Sequence, residues 1–215
     1  MIPRIVHYIW LGGIMPNKNK KILERNNFFL RGFKIYLWTE KNLDLSAPYV
    51  KKAYKAKKWA FASDYLRFEK LYTYGGIYLD CDMELVRDIS DLLEFQGFAA
   101  NDKTGSYIYC GAIGSERNNS LIRNILIYYN NIENDSWQTS PVIFTKIYNK
   151  SAKNKFKILP FFTFYPFSKG EKINNLQLSR AYGVHHWDES WRSFKFLRSI
   201  LRYIGFIKLY HRIVK

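Results

Sequence analysis

Ala60-Phe61-Ala62-Ser63-Asp64-Tyr65-Leu66-Arg67, followed by Gly75-Gly76-Ile77-Tyr78-Leu79-Asp80-Cys81-Asp82, is the stretch whose reading decides the fold. Residues 60–74 place Phe61, Tyr65, Phe68 and Tyr72 at spacings of four, three and four. That is one apolar stripe, and it predicts a helix. Gly75-Gly76 end it, as glycines past a helix C-terminus do. Ile77-Tyr78-Leu79 then read as a short strand that runs into Asp80-Cys81-Asp82.

Working outward, residues 2–10 read as a buried first strand closed by Leu11-Gly12-Gly13. Two glycines there permit a tight turn and the close approach of a ligand to backbone. A helix is predicted over 18–29 and a strand over 33–38. Residues 42–58 are polar, basic and partly helical. Strands follow over 97–101 and 107–113, helices over 120–131 and 141–149, and late strands over 157–166 and 181–186. Strands alternate with helices through the first half, which predicts an α/β domain with a largely parallel sheet. No segment has linker composition, and no internal repeat occurs.

Asp80 and Asp82 carry the chemistry. In a continuing strand they share a face; at a strand end opening into a loop they can converge on one cation. Their hard oxygens suit Mg²⁺ or Mn²⁺. Such a cation offsets charge on a departing diphosphate. An isolated Asp-x-Asp is as readily a solvated turn, but here an apolar strand, two glycines and a charged helix precede it. Asp64 and Arg67 lie three apart and share a helix face. Either they form an ordinary ion pair, or both point toward a ligand, Asp64 accepting from sugar hydroxyls and Arg67 donating to a hydroxyl or phosphate.

The 215 residues suffice for one domain with a real core. An apolar fraction of 47% excludes disorder, and 18% aromatics build strands and core or stack on bases and sugars. A net charge of +16 attracts anions such as nucleic acid, anionic lipid or phosphorylated substrates. Cys81 and Cys110 form neither a zinc-ligand spacing nor a disulfide framework, which fits a reducing cytosol. The N-terminus lacks the features of a signal peptide, and no apolar run is long enough to span a bilayer.

These residues resemble a known family. Ala60 through Arg67, then Gly75 through Asp82 and Met83, are similar to the glycosyltransferases with the DXD sugar-binding signature (GT32-type). That group includes yeast initiating α-1,6-mannosyltransferases and bacterial capsular polysaccharide transferases. The catalytic domains of large clostridial glucosylating toxins are more distant members. The opening Ile2-Pro3-Arg4-Ile5-Val6-His7-Tyr8-Ile9-Trp10-Leu11-Gly12-Gly13 fits the family's first strand. Tyr182-Gly183-Val184-His185-His186-Trp187-Asp188-Glu189-Ser190-Trp191 fits its end.

The resemblance implies a GT-A nucleotide-diphospho-sugar transferase fold over residues 1–191. It implies a nucleotide-sugar donor (UDP-sugar favoured, GDP-mannose open), Mn²⁺ or Mg²⁺, and retention of anomeric configuration. It implies that Trp10 stacks on the donor base beside Gly12, and that Asp64 and Arg67 hold the donor sugar. Asp80 then contacts ribose or sugar and reaches the metal through water, while Asp82 binds it directly. Ser190 and Trp191 belong to a loop closing over the diphosphate, and the late segment supplies a third metal ligand.

His185, His186 and Asp188 are all chemically suited to that third position. Adjacent strand residues point to opposite faces, so only one of the two histidines faces the metal, and His186 is the one favoured. Trp187 and Trp191 are either core or donor contacts. Thr139-Ser140-Pro141 reads as a helix cap in preference to an acceptor contact.

Residues 192–215 hold seven Lys or Arg and no acid. Leu197, Ile200, Leu201, Ile204 and Ile207 recur at helical spacing. This predicts a basic amphipathic helix on an anionic membrane surface, hence a cytoplasmic protein peripheral to the plasma membrane. A lipid-linked glycan acceptor in bacterial surface polysaccharide synthesis follows from that reading. The rival class, a nucleic-acid-binding protein, finds no zinc finger, RRM-like aromatic motif or helix-turn-helix to support it, so no nucleic-acid partner is expected.

Overall fold

The computed structural model describes residues 1–132, 137–151, 155–167 and 175–187. The expected site residues Asp188, Ser190 and Trp191, and the basic segment 192–215, lie outside the described residues.

The chain begins with β1 (Ile5–Ile9), α1 (Asn17–Asn26), β2 (Lys34–Trp38), α2 (Pro48–Lys55) and α3 (Trp59–Tyr74). Next come β3 (Gly76–Leu79), β4 (Met83–Leu85), a short 3₁₀ turn (Ser90–Glu94), β5 (Gly97–Asn101) and β6 (Ile108–Ser115). It closes with α4 (Ser120–Asn130), α5 (Ser140–Lys150), β7 (Lys157–Leu159), a second 3₁₀ turn (Phe161–Thr163), α6 (Asn175–Ser179) and β8 (Gly183–His185). The six-stranded sheet has the order β2-β1-β3-β6-β5-β7. β1 is parallel to β2 and β3, β5 is parallel to β7, and only β6 runs antiparallel to its neighbours. This is the mostly parallel α/β sheet that the alternation predicts.

Alternate residues of each strand serve opposite cores, as the pleat requires. Val6, Tyr8, Ile77, Leu79, Phe98 and Ala100 pack with α1 on one side. Ile9, Tyr78, Ala99 and Ile113 pack with α2 through α5 on the other. Among the described residues, no helix is long and apolar enough to cross a membrane.

The basic 42–58 segment is helical in part, as expected, over Pro48–Lys55. Two local readings differ from the structure. The late strand predicted over 157–166 stops at Leu159, because Pro160 has no N–H to continue the ladder. β4 was not anticipated: the chain turns at Asp80-Cys81-Asp82, Met83 N–H closing on Asp80 C=O at 2.9 Å, and then pairs with β8.

A buried histidine locks α3 to the sheet. His7 Nδ1 accepts from the Trp38 indole at 3.1 Å, so the proton sits on Nε2 and donates to Gly75 C=O at 2.8 Å. Gly75 can offer that carbonyl because it adopts φ +65°, where a Cβ would strike Pro3 and the Arg117 backbone. Burial is the main cause that lowers the His7 pKa, from an ordinary 6.5 to about 4. The neutral form is therefore the folded form. Its contribution is present above pH 6.5 and lost as pH falls through 4, a difference of about 3 kcal/mol. Urea unfolding between pH 7 and pH 4 should show this slope in the wild type and a visibly smaller one in His7→Gln. Equal slopes would contradict the assignment.

Candidate functional site

The site forms where β3 ends. In parallel α/β sheets, ligands bind in the crevice outside the carboxyl ends of the strands. Asp80 and Asp82 occupy the turn between β3 and β4, and Cys81 Sγ donates to Ile9 C=O at 3.3 Å. That contact ties the turn to the end of β1, immediately before Trp10.

Asp80, Asp82 and His185 each offer a ligand atom, all within 4.8 Å of one another. His185 Nε2 lies 3.2 Å from Asp82 Oδ1 and 3.4 Å from Asp80 Oδ2. The third member is therefore His185 and not His186, which corrects the sequence reading. β8 pairs antiparallel with β4, His185 lying opposite Met83. This puts the His185 ring beside the aspartate turn. His186, one residue on, takes the other face, where its Nε2 meets Glu84 Oε2 at 2.7 Å. Glu84 also pairs with Arg25 at 2.8 Å, so that histidine belongs to a polar bridge between α1 and β4.

Each charge has a physical cause. Burial alone lowers the His185 pKa, but the Asp82 and Asp80 carboxylates outweigh it and push it up to about 10. Burial alone raises Asp80; the Arg67 guanidinium, His185 and the Tyr78 hydroxyl overcome that and hold it at about 2. His185 Nε2 thus sits between the Asp80 and Asp82 carboxylates, the place a divalent cation would take. Two hard carboxylates and one imidazole fit Mn²⁺ or Mg²⁺.

Arg67 organises the floor. It meets Asp64 at 2.9 Å and Asp80 at 3.4 Å, donates to Cys110 C=O at 2.7 Å, and stacks 4.6 Å from the Tyr78 ring centroid. Tyr78 in turn donates to Asp80 Oδ1 at 2.7 Å. Asp64 is buried and its oxygens already have protein donors. Ser140 Oγ donates at 2.6 Å and Ser140 N–H at 3.0 Å. Asp64 thereby caps the first turn of α5 from across the molecule. The expectation that 139–141 supply their own cap is corrected, since Thr139 makes no side-chain cap bond.

Trp10 is partly buried; its indole donates to Gly13 C=O at 3.0 Å and its backbone N–H to Trp38 C=O at 2.9 Å. Gly12 N–H donates to Glu40 at 2.7 Å, and Trp59 packs where a Cβ would stand. Both residues lie at the end of β1, on the edge that carries the aspartates. Sequence reasoning missed Tyr78, Gly111 and Tyr165. Asp80 N–H donates to Gly111 C=O at 2.7 Å, and Gly111 N–H donates to the Tyr165 hydroxyl at 3.0 Å. Only Tyr78 lay inside a recognisable motif.

Alanine at His185 should weaken Mn²⁺ binding by about tenfold or more. Alanine at His186 should leave Mn²⁺ affinity near wild type and lower stability, because Glu84 loses a partner. Calorimetry with Mn²⁺ alone separates the two, and a reversed pattern would restore His186.

Comparisons with known proteins bear on the class of protein. The family described as "Glycosyltransferase sugar-binding region containing DXD motif" matches residues 17–99, which span Asp64, Arg67, Asp80 and Asp82. A protein described as an uncharacterized glycosyltransferase, from Acanthamoeba polyphaga mimivirus, is 27% identical over 170 residues, 72% of this chain and 67% of its own length. Among solved structures, the PaToxG glycosyltransferase aligns with a TM-score of 0.53 at 19% identity, covering 70% of this chain and 69% of its own. A glycosyltransferase involved in glycosylation of the major capsid of PBCV-1 aligns at 0.52 and 13%, covering 86% and 95%. The glycosyltransferase GlyE of Streptococcus pneumoniae aligns at 0.54 and 14%, covering 96% of this chain and 60% of its own.

The architecture is the GT-A fold of glycosyltransferases. The family match and the viral relative, taken with that fold, support a glycosyltransferase.

Proposed function

We propose that this chain transfers a sugar from a nucleotide-sugar donor to a glycan acceptor, with a divalent cation held by Asp80, Asp82 and His185. The carrying observation is the convergence of those three side chains at the end of β3. Mn²⁺ or Mg²⁺ bound there would neutralise charge growing on the departing diphosphate. The two carboxylates favour a proton on His185, so metal uptake there would displace it, and affinity should fall as pH falls.

The protein's own part is placement. Arg67 fixes Asp80 by an ion pair and through Tyr78, which it stacks against. Asp64 fixes Arg67, and Ser140 fixes Asp64. Trp10, partly exposed at the end of β1, is placed for a base to stack on. UDP is the favoured nucleotide and retention the favoured outcome.

Among the described residues at this centre, the carboxylates are Asp64, Asp80 and Asp82. The first is enclosed by protein donors and the other two would face the cation. We favour same-face substitution, which asks no covalent nucleophile of the protein. The acceptor oxygen bonds to the anomeric carbon, the carbon–oxygen bond to the diphosphate breaks, and the acceptor's proton passes to a departing phosphate oxygen. Positioning and exclusion of water then supply the catalysis.

A panel of UDP- and GDP-sugars should reveal one or a few that the protein hydrolyses slowly when Mn²⁺ is present. Hydrolysis that EDTA does not suppress, or none across the panel, would count against this reading.

A further inference from the structure

We infer that a cavity away from the aspartate centre binds a sugar that carries a carboxylate or a phosphate, held by Arg87 and Arg180. That the anion rides on a sugar rests on the reading of this chain as a glycan-directed transferase. The anion site itself rests on the cavity alone.

The cavity has a volume of about 500 Å³, within the roughly 300–1,000 Å³ of small-molecule sites. It opens between the two 3₁₀ turns and the end of α6. Phe95 and Phe162 supply apolar wall; Arg87, Arg180 and Asp91 supply charge.

Main chain sets its geometry. β4 and β8 pair as far as Leu85 and Gly183. Val86 N–H then donates to Tyr182 C=O at 2.9 Å, and Tyr182 N–H to Thr163 C=O at 2.8 Å. Arg87 and Tyr182 therefore stand together at the far end of this ladder from Asp82 and His185. At about 3.3 Å per residue, the stretch from Asp82 to Arg87 separates the two places by up to about 16 Å.

Both guanidiniums are exposed and lie against rings. Arg87 sits 4.3 Å from the Tyr182 ring centroid, and Arg180 sits 5.7 Å from that of Phe162. A ring steadies a guanidinium without giving it an oxyanion, so its donors stay available. Among the described residues neither side chain pairs with a carboxylate, whereas Arg25 and Arg67 each do. Asp91 is the one carboxylate in the described lining, and it already accepts the Tyr182 hydroxyl. Two cations thus face one anion that has its own donor. The excess charge suits an oxyanion, and the guanidinium fork matches carboxylate and phosphate alike. Phe95 and Phe162 offer an apolar wall to the C–H face of a sugar ring.

Calorimetry at about 0.15 M salt, where scattered surface charge is screened, tests this with glucuronate and glucose-6-phosphate as probes. At least one of them should bind the wild type. Glucose lacks the charge, and acetate and inorganic phosphate lack the ring; each should bind at least about tenfold more weakly. Arg87→Gln and Arg180→Gln should each lose about tenfold or more of the acidic sugar's affinity. Glucuronate binding more tightly assigns a carboxylate, and glucose-6-phosphate a phosphate. No binding of either acid, glucose or a ringless anion binding as tightly, or variants that match the wild type would overturn the inference.

Both side chains are exposed, so the variants should melt with the wild type; if one fails to fold, the other carries the test. UDP affinity with Mn²⁺ should stay within about twofold in each, since neither residue touches the aspartate turn. A chain that binds an acidic sugar but neither UDP nor GDP would sink the transferase reading and leave this site standing. The converse result would sink this inference alone.

Discussion

Asp82→Asn is expected to abolish turnover and leave the fold standing. The substitution keeps shape and removes one of the two charges that face His185 Nε2. With one carboxylate fewer, the centre loses a hard anionic ligand. A cation's contribution to a leaving diphosphate is worth several kcal/mol. At about 1.4 kcal/mol per tenfold change, activity should drop by roughly 100-fold at the least. Stability should hold, because the turn is set by main chain: His186 N–H donates to the Asp82 backbone carbonyl at 3.1 Å, and Met83 N–H to that of Asp80. A near-normal rate in Asp82→Asn would remove the metal from the account. A melted protein would show Asp82 to be structural.

Arg67→Ala should do the reverse in part, costing the fold as well as the activity. Arg67 is buried between two carboxylates, Asp64 and Asp80, and also satisfies the Cys110 carbonyl. Burial is the largest influence on both acids and raises the pKa of each; Arg67 is the leading opposing charge in both cases. Removing one partner of a buried ion pair costs about 3–5 kcal/mol, because the charge left behind has no solvent. For a domain of this size that is a drop in melting temperature on the order of 10 °C. Lysine should not rescue it. A single ammonium cannot reach Asp64, Asp80 and the carbonyl in the planar, forked geometry that the guanidinium supplies. Thermal melts of the alanine and lysine variants check this. A melting point within about 2 °C of wild type would show that the Arg67 network contributes little to stability.

The parts of this molecule that the sequence shows are those written in local periodicity. The stripe of Phe61, Tyr65, Phe68 and Tyr72 predicts α3, and the observed helix runs Trp59–Tyr74. Gly75-Gly76 and the apolar triplet after them place Asp80 at a strand end. What escaped were pairings between distant segments. Which late histidine meets the aspartates depends on the register of β8 against β4, and β4 is three residues long with no signal of its own. Parity could say that only one of His185 and His186 faces the site, but not which.

Asp64 illustrates the same limit. Its spacing from Arg67 predicts their shared face, and the structure shows the ion pair. The partner that encloses it, Ser140, is 76 residues away. The cap of α5 therefore comes from another helix rather than from Thr139. Gly111 matters because its missing Cβ lets the Asp80 carboxylate and the Tyr165 hydroxyl pack against the main chain. That property is not visible in a one-dimensional pattern.

Titrating UDP and GDP into this chain, with Mn²⁺ and again with EDTA, goes directly to whether Asp80, Asp82 and His185 grip a cation beneath a diphosphate. One nucleotide should bind with metal present and lose at least about tenfold in affinity without it. Equal affinity in both buffers, or no binding of either nucleotide, would contradict it.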